Sequence, residues 1–164
     1  MKKGIVTVIF FMVSMFCMIA QDKTFAVEAK ADHLMDLEGK PITFGKVLET
    51  HKGQVILLDI WASWCKDCIV GMPTLNAIKK DYPEVAYVYV SLDKTKDSWE
   101  KGIQSFKINN GSHYWAPNGW KSDLFTAIDL DWIPRYMVIN KEGYITLYKA
   151  INVEDKEIIK QLTK

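Results

Sequence analysis

The tetrapeptide Cys65-Lys66-Asp67-Cys68 constrains this chain more than any other stretch, because of what lies on either side of it. Upstream, Val55-Ile56-Leu57-Leu58-Asp59-Ile60-Trp61 is an apolar run broken only by Asp59, the pattern of a strand buried on both faces. Downstream, residues 65–81 carry a helical pattern with Pro73 inside it as a kink. Two cysteines so close in sequence close a ring too small to restrain the unfolded chain, so a bond between them is a poor staple. The position supplies reactivity instead. A sulfur at a helix N-terminus meets unpaired backbone N–H groups and the positive end of the helix dipole, and both favour the thiolate. Thiols in such motifs fall from a pKa of about 8.5 to roughly 3.5–7.5. Cys65 is thus placed as an exposed attacking thiol and Cys68, one turn further in, as a shielded resolving thiol.

Competing uses of the pair fail on their neighbours. A c-type haem site needs histidine directly after the second cysteine, and Ile69 stands there. A structural zinc site needs four ligands. The third cysteine, Cys17, lies in the N-terminal apolar stretch, and His33, His51 and His113 show no ligand spacing. Strand, Cys-x-x-Cys and helix together point to thiol–disulfide chemistry, with no metal and no cofactor beyond the redox-active Cys65–Cys68 disulfide.

The remaining pattern predicts one α/β domain over residues 27–164. Val85 to Ser91 is β-branched and aromatic, a second buried strand that completes a βαβ unit with parallel strands. A helix is expected from Ser98 to Phe106, capped by Asp97 or Ser98, and a short one after Ser122 through Ile128. Arg135–Ile139 and Tyr144–Tyr148 flank Asn140-Lys141-Glu142-Gly143 and read as a hairpin. Asn152 is expected to open a terminal helix through Thr163. Val27 to His33 reads as a polar, mobile lead-in, and Leu37 to Pro41 as a turn.

Residues 1–26 read as an address. Lys2 and Lys3 precede an uncharged run from Ile5 to Ala20, the order of a secretory signal peptide, and the run is short of the ~20 residues that span a membrane. Small residues place cleavage after Ala26 or after Ala20, and an uncleaved membrane anchor is the alternative. Phe16 before Cys17 departs from the pattern of a lipid-bearing cysteine. Composition adds one exclusion. With 21 Lys and Arg against 20 Asp and Glu, the chain has no electrostatic footprint for nucleic acid.

From about Leu37 to the C-terminus the sequence resembles the thioredoxin superfamily, and within it the exported TlpA/ResA-like thiol–disulfide oxidoreductases. The resemblance is carried by Val55 to Trp61, Trp64-Cys65-x-x-Cys68, Pro73, Val90-Ser91-Leu92-Asp93, Trp99, Ile133-Pro134 before a strand, and Asn140 to Gly143. It implies a thioredoxin-like fold, a central mixed β-sheet flanked by helices. It implies that Ile133-Pro134 is a cis-proline facing the cysteines and supporting an extended substrate strand, with Trp64, Lys66 and Asp67 beside it. Asp59, six residues before Cys65, corresponds to the buried aspartate of thioredoxins and would accept the Cys68 proton. The bland alternative for Asp59 is a strand-end carboxylate bound to a lysine.

The implied function is reduction or exchange of disulfides in exported proteins, apocytochromes among them, outside the cytoplasm in a periplasm or on the outer membrane face. Electrons would come from a membrane thiol reductase. A net disulfide-donating oxidase and a Cu(I) metallochaperone are the rival readings. Three departures from the family pattern stand out. Asp67 replaces the proline common before the second cysteine, and Gly71 occupies a position where relatives carry glutamate. Arg135 follows the proline and would bias the groove toward acidic partners. The segment His113 to Trp120 reads either as an exposed aromatic recognition loop or as two tryptophans folded back onto the core, the latter preferred.

Overall fold

The computed structural model describes residues 23–164. Most of the predicted leader, including Cys17 and the Ala20 cleavage position, lies outside the described residues. Among the described residues no helix is long and apolar enough to cross a membrane.

Two unbroken apolar runs become the centre of a sheet. β3 (Ile56–Trp61) and β4 (Ala86–Ser91) are buried at every position and pair in parallel, joined by the crossover helix α3 (Lys66–Asp81). Before them the chain forms α1 (Val27–Ala31), β1 (His33–Met35), β2 (Pro41–Thr43) and α2 (Phe44–Thr50). After them come α4 (Lys96–Ser105), β5 (Ser112–Trp115), a 3-10 turn (Gly119–Lys121), α5 (Asp123–Ala127), β6 (Arg135–Ile139), β7 (Ile145–Ala150) and α6 (Lys156–Leu162). The seven strands lie in the order β2-β1-β5-β4-β3-β6-β7. β5 joins β4 in parallel, whereas β6 runs antiparallel to β3 and pairs β7 as the predicted hairpin.

Pairing register decides which side chains share a face. Asp59 stands opposite Tyr89 on one side and Tyr136 on the other, so the three project to the same face of the sheet. Helix α3 covers that face: Lys79 donates to the Tyr89 hydroxyl at 3.2 Å, and Gly71 sits over the Tyr136 hydroxyl. Gly102 of α4 lies against Trp61 and Ser63.

Local structure departs from expectation in four places. Val27 to His33 is no mobile lead-in: it forms α1 and the start of β1, with Ala29 buried and α1 packed between α2 and α5. α4 is capped by Thr95, whose hydroxyl accepts from Ser98 N–H, and the helix starts at Lys96, two residues ahead of the expected start. Ser122 does stand at the N-cap of α5, yet its hydroxyl donates to buried Asp32, whose carboxylate takes the Leu124 N–H. α6 starts after Asp155, which accepts from Glu157 N–H, because Asn152 instead turns the chain by accepting from Glu154 N–H.

Candidate active site

The loop that delivers the cysteines is clamped from β4. Asp93, buried just past that strand, accepts from Ser63 N–H at 3.0 Å and from the Ser63 hydroxyl at 2.7 Å, while the Ser91 hydroxyl adds a third bond at 2.8 Å. Leu92 N–H donates to the Trp61 carbonyl at 3.0 Å. The chain therefore leaves β3 on a fixed path and reaches Cys65 as the N-cap of α3. Its Sγ accepts the Cys68 N–H at 3.1 Å, the contact that stabilises a sulfur anion at a helix start.

Cys65 and Cys68 form a disulfide, S–S 2.09 Å with Cα atoms 5.3 Å apart. Cys68 is wholly enclosed and Cys65 keeps 6% of its surface exposed, so an incoming thiol can reach only Cys65. Facing it, the Ile133–Pro134 peptide bond is cis, and the Ile133 carbonyl oxygen lies 3.6 Å from Cys65 Sγ. In the dithiol state that carbonyl can accept from the Cys65 S–H. Trp64, Cys65, Lys66, Asp67 and Ile133 line one cavity of about 370 Å³. Asp67 and Pro134 line a neighbouring one of about 410 Å³ on the other side of Trp132. A cavity of about 620 Å³ lies away from the disulfide and includes Lys79, Lys80 and Lys107.

Asp59 is set deeper, on β3 beneath α3. Among the described residues its two carboxylate oxygens have no hydrogen-bond partner and it forms no ion pair, so no lysine among them holds it. Burial raises its pKa from the usual carboxylate range to about 8, so it holds a proton at neutral pH in the oxidised protein. Burial, and then the Asp59 charge, keeps the Tyr89 and Tyr136 phenols well above their ordinary range. Gly71 leaves room for this arrangement, since a Cβ there would stand 3.2 Å from the Tyr136 hydroxyl oxygen and 3.3 Å from Val153.

Two sequence expectations are corrected. Arg135 does not face the groove: it is fully buried, donating to the Ile128 and Asp129 carbonyls and to Asp131 at 2.5 Å. An isolated charge in a buried strand must turn toward whatever acceptors the interior offers, and here they are the loop ahead of Pro134. The two loop tryptophans do not share a fate. Trp115 ends β5, packs against the core and donates Nε1–H to the Asp93 carbonyl at 2.7 Å, whereas Trp120 is 46% exposed and stands in the 370 Å³ cavity beside Cys65. Trp132, 55% exposed in the same cavity, was given no role by sequence reasoning, although its place two residues before Pro134 was the available signal. His113 is buried, stacked on Tyr89 and bonded through Nε2 to the Ile108 carbonyl at 2.7 Å. Among the described residues no group of three or more metal-ligating side chains comes together.

A mixed sheet, a Cys-x-x-Cys disulfide opening its crossover helix and a cis-proline opposite define a thioredoxin-fold protein with a redox cysteine pair. The chain belongs to the thioredoxin-like family, whose model matches residues 53–145. It is 27% identical over 122 residues to thiol-disulfide oxidoreductase ResA of Bacillus cereus, covering 74% of this chain and 66% of that protein. To the ResA of Bacillus thuringiensis subsp. konkukian it is 38% identical over 110 residues, covering 67% of this chain and 60% of the relative. Its fold matches the thioredoxin domain of a thiol-disulfide oxidoreductase from Bacteroides vulgatus with a TM-score of 0.69, at 21% identity and over 87% of this chain and 99% of that domain.

Proposed function

We propose that this chain is an exported thiol–disulfide oxidoreductase that reduces or exchanges disulfides of exported proteins. The observation that carries the reading is the asymmetry of the pair: Cys65, mostly buried at the helix start rather than freely exposed as its sequence position suggests, still opens 6% of its surface to the groove, while Cys68 is wholly enclosed behind it. The family and the ResA relatives support the reaction class. The basic and apolar leader supports export to a periplasm or to the outer face of the membrane.

In the reducing direction the Cys65 thiolate attacks one sulfur of a target disulfide, whose S–S bond breaks as the other target sulfur leaves and takes a proton. Asp59, which carries a proton at neutral pH in the oxidised protein, must first lose it to solvent; once ionised it takes the Cys68 S–H proton, and the resulting thiolate attacks the Cys65 sulfur. The Cys65–Cys68 bond forms, the second target sulfur leaves, and two electrons have passed from the pair to the target. Ile133, Pro134, Trp64, Lys66 and Asp67 form the walls against which the target segment lies. A membrane thiol reductase is the electron source this cycle needs in an oxidising compartment. Exported proteins with disulfides, apocytochromes among them, are the targets.

Trapping tests the reading. Cys68→Ala should arrest mixed disulfides on Cys65 in cells, visible as adducts that dithiothreitol releases, and Cys65→Ala should give none. The equilibrium potential of the pair decides direction: about −270 mV supports a reductase, and about −120 mV would mark an oxidase. Tight stoichiometric Cu(I) retention without disulfide exchange would establish a metallochaperone instead.

A further inference from the structure

Large apolar side chains on a soluble surface are ordinary when scattered and informative when gathered. Among the described residues seven are exposed, and five of them, Trp64, Val70, Trp120, Trp132 and Ile151, line the two cavities that meet at the redox helix. The three tryptophans come from separate segments: the β3–α3 loop, the 3-10 turn and the loop ahead of Pro134. Each is about half exposed, at 54%, 46% and 55%, and all three share the 370 Å³ cavity with Cys65.

Charge around this cavity does not select a partner. Asp131 on its wall is already held by Lys149 at 2.5 Å, which does most to lower its carboxyl pKa, and by Arg135 at 2.5 Å. Lys66 and Asp67 are adjacent and of opposite sign. What remains as a basis for choice is apolar and aromatic surface. The occupant is defined by the sulfur beside it, since any segment lying here in the reaction must present its own cysteine to Cys65.

We propose that the Trp64, Trp120 and Trp132 surface selects extended cysteine-bearing segments whose cysteine is flanked by aromatic or large aliphatic side chains, one flank seating between Trp120 and Trp132. This rests on the oxidoreductase reading and adds its substrate preference. Aromatic contacts carry a directional attraction beyond area burial, and tryptophan is among the side chains enriched where a few residues dominate binding.

The test uses two synthetic peptides, each with one cysteine and oxidised to its symmetric disulfide, with phenylalanine on both sides of the cysteine in one and serine in the other. Second-order rate constants for their reaction with the reduced protein are read by stopped flow. The phenylalanine peptide should react about tenfold faster, equivalent to about 1.4 kcal/mol. Trp120→Ala and Trp132→Ala should each bring the ratio to about twofold or less, and Trp120→Phe and Trp132→Phe should restore most of it. A ratio near one in the unaltered protein, or one that both alanine variants leave untouched, overturns the tryptophan surface while leaving the oxidoreductase reading in place. Failure to react with either peptide overturns that reading, and the surface with it.

Discussion

Asp59 and Tyr136 stand directly opposite each other across the β3–β6 ladder, and among the described residues neither the carboxylate nor the phenol oxygen has a hydrogen-bond partner. Two orphaned polar groups facing one another in a sealed interior are costly for stability. The carboxylate meets this cost by keeping a proton, with its pKa pushed up to about 8. In an unfolded chain an aspartate titrates near 3.9. Between those values the folded protein binds a proton that the unfolded one lacks, so the Asp59 contribution to stability is greatest below about pH 4 and is lost as pH rises toward 8.

Asp59→Asn removes that dependence. Its stability should exceed that of the parent by little near pH 5 and by on the order of a few kcal/mol near pH 8, levelling above it. Urea unfolding at pH 5, 7 and 9 measures the difference. A gain that is flat with pH would show that Asp59 does not titrate in this window. The same substitution should slow release of the Cys65 mixed disulfide, because Cys68 loses its proton acceptor.

Gly102→Ala should destabilise the protein although it places the better helix former inside α4. The propensity gain is about 1 kcal/mol. Against it, the new Cβ would stand 2.7 Å from the Ser63 Cβ and 3.1 Å from the Trp61 ring, and overpacking of this kind costs about 1–3 kcal/mol. A net loss of about 1 kcal/mol in chemical denaturation is expected. A net gain would mean that α4 can slide away from the loop that Asp93 clamps.

Residues ahead of α1 are stitched to the domain. Phe25 is buried edge-on against Phe44 with ring centres 4.9 Å apart, Ile145 N–H donates to the Lys23 carbonyl at 2.7 Å, and Lys23 Nζ lies 3.1 Å over the Tyr148 ring. A chain starting at Val27 loses all three contacts, and one starting at Gln21 keeps them. The shorter chain should be less stable by about 3 kcal/mol, the lower end of the cost of deleting a buried phenylalanine. Equal denaturation midpoints for the two would show that these contacts contribute nothing.

How much of this was legible in the sequence follows from how local each signal is. β3, β4 and the cysteine pair were readable because an unbroken apolar run and a strand-to-helix junction are features of adjacent residues. α1 was missed because Val27-Glu28-Ala29-Lys30-Ala31 buries a single alanine, too little apolar periodicity to register. Arg135 was misplaced because β6 is buried at every position, so alternation gave no hint that its charge turned inward to the loop at 128–131. The convergence of Trp64, Trp120 and Trp132 is tertiary: their positions in the sequence carry no mark of sharing one cavity.

The Cys65–Cys68 link spans a sequence separation of three, from the N-cap of α3 into its first turn. Since the ring it closes is so small, making or breaking it changes almost nothing about which parts of the chain are tethered to one another. Electrons can enter and leave without altering the connectivity on which the scaffold's stability depends. The pair can pass between disulfide and dithiol while the strand pairing and core that position it stay tied together as before.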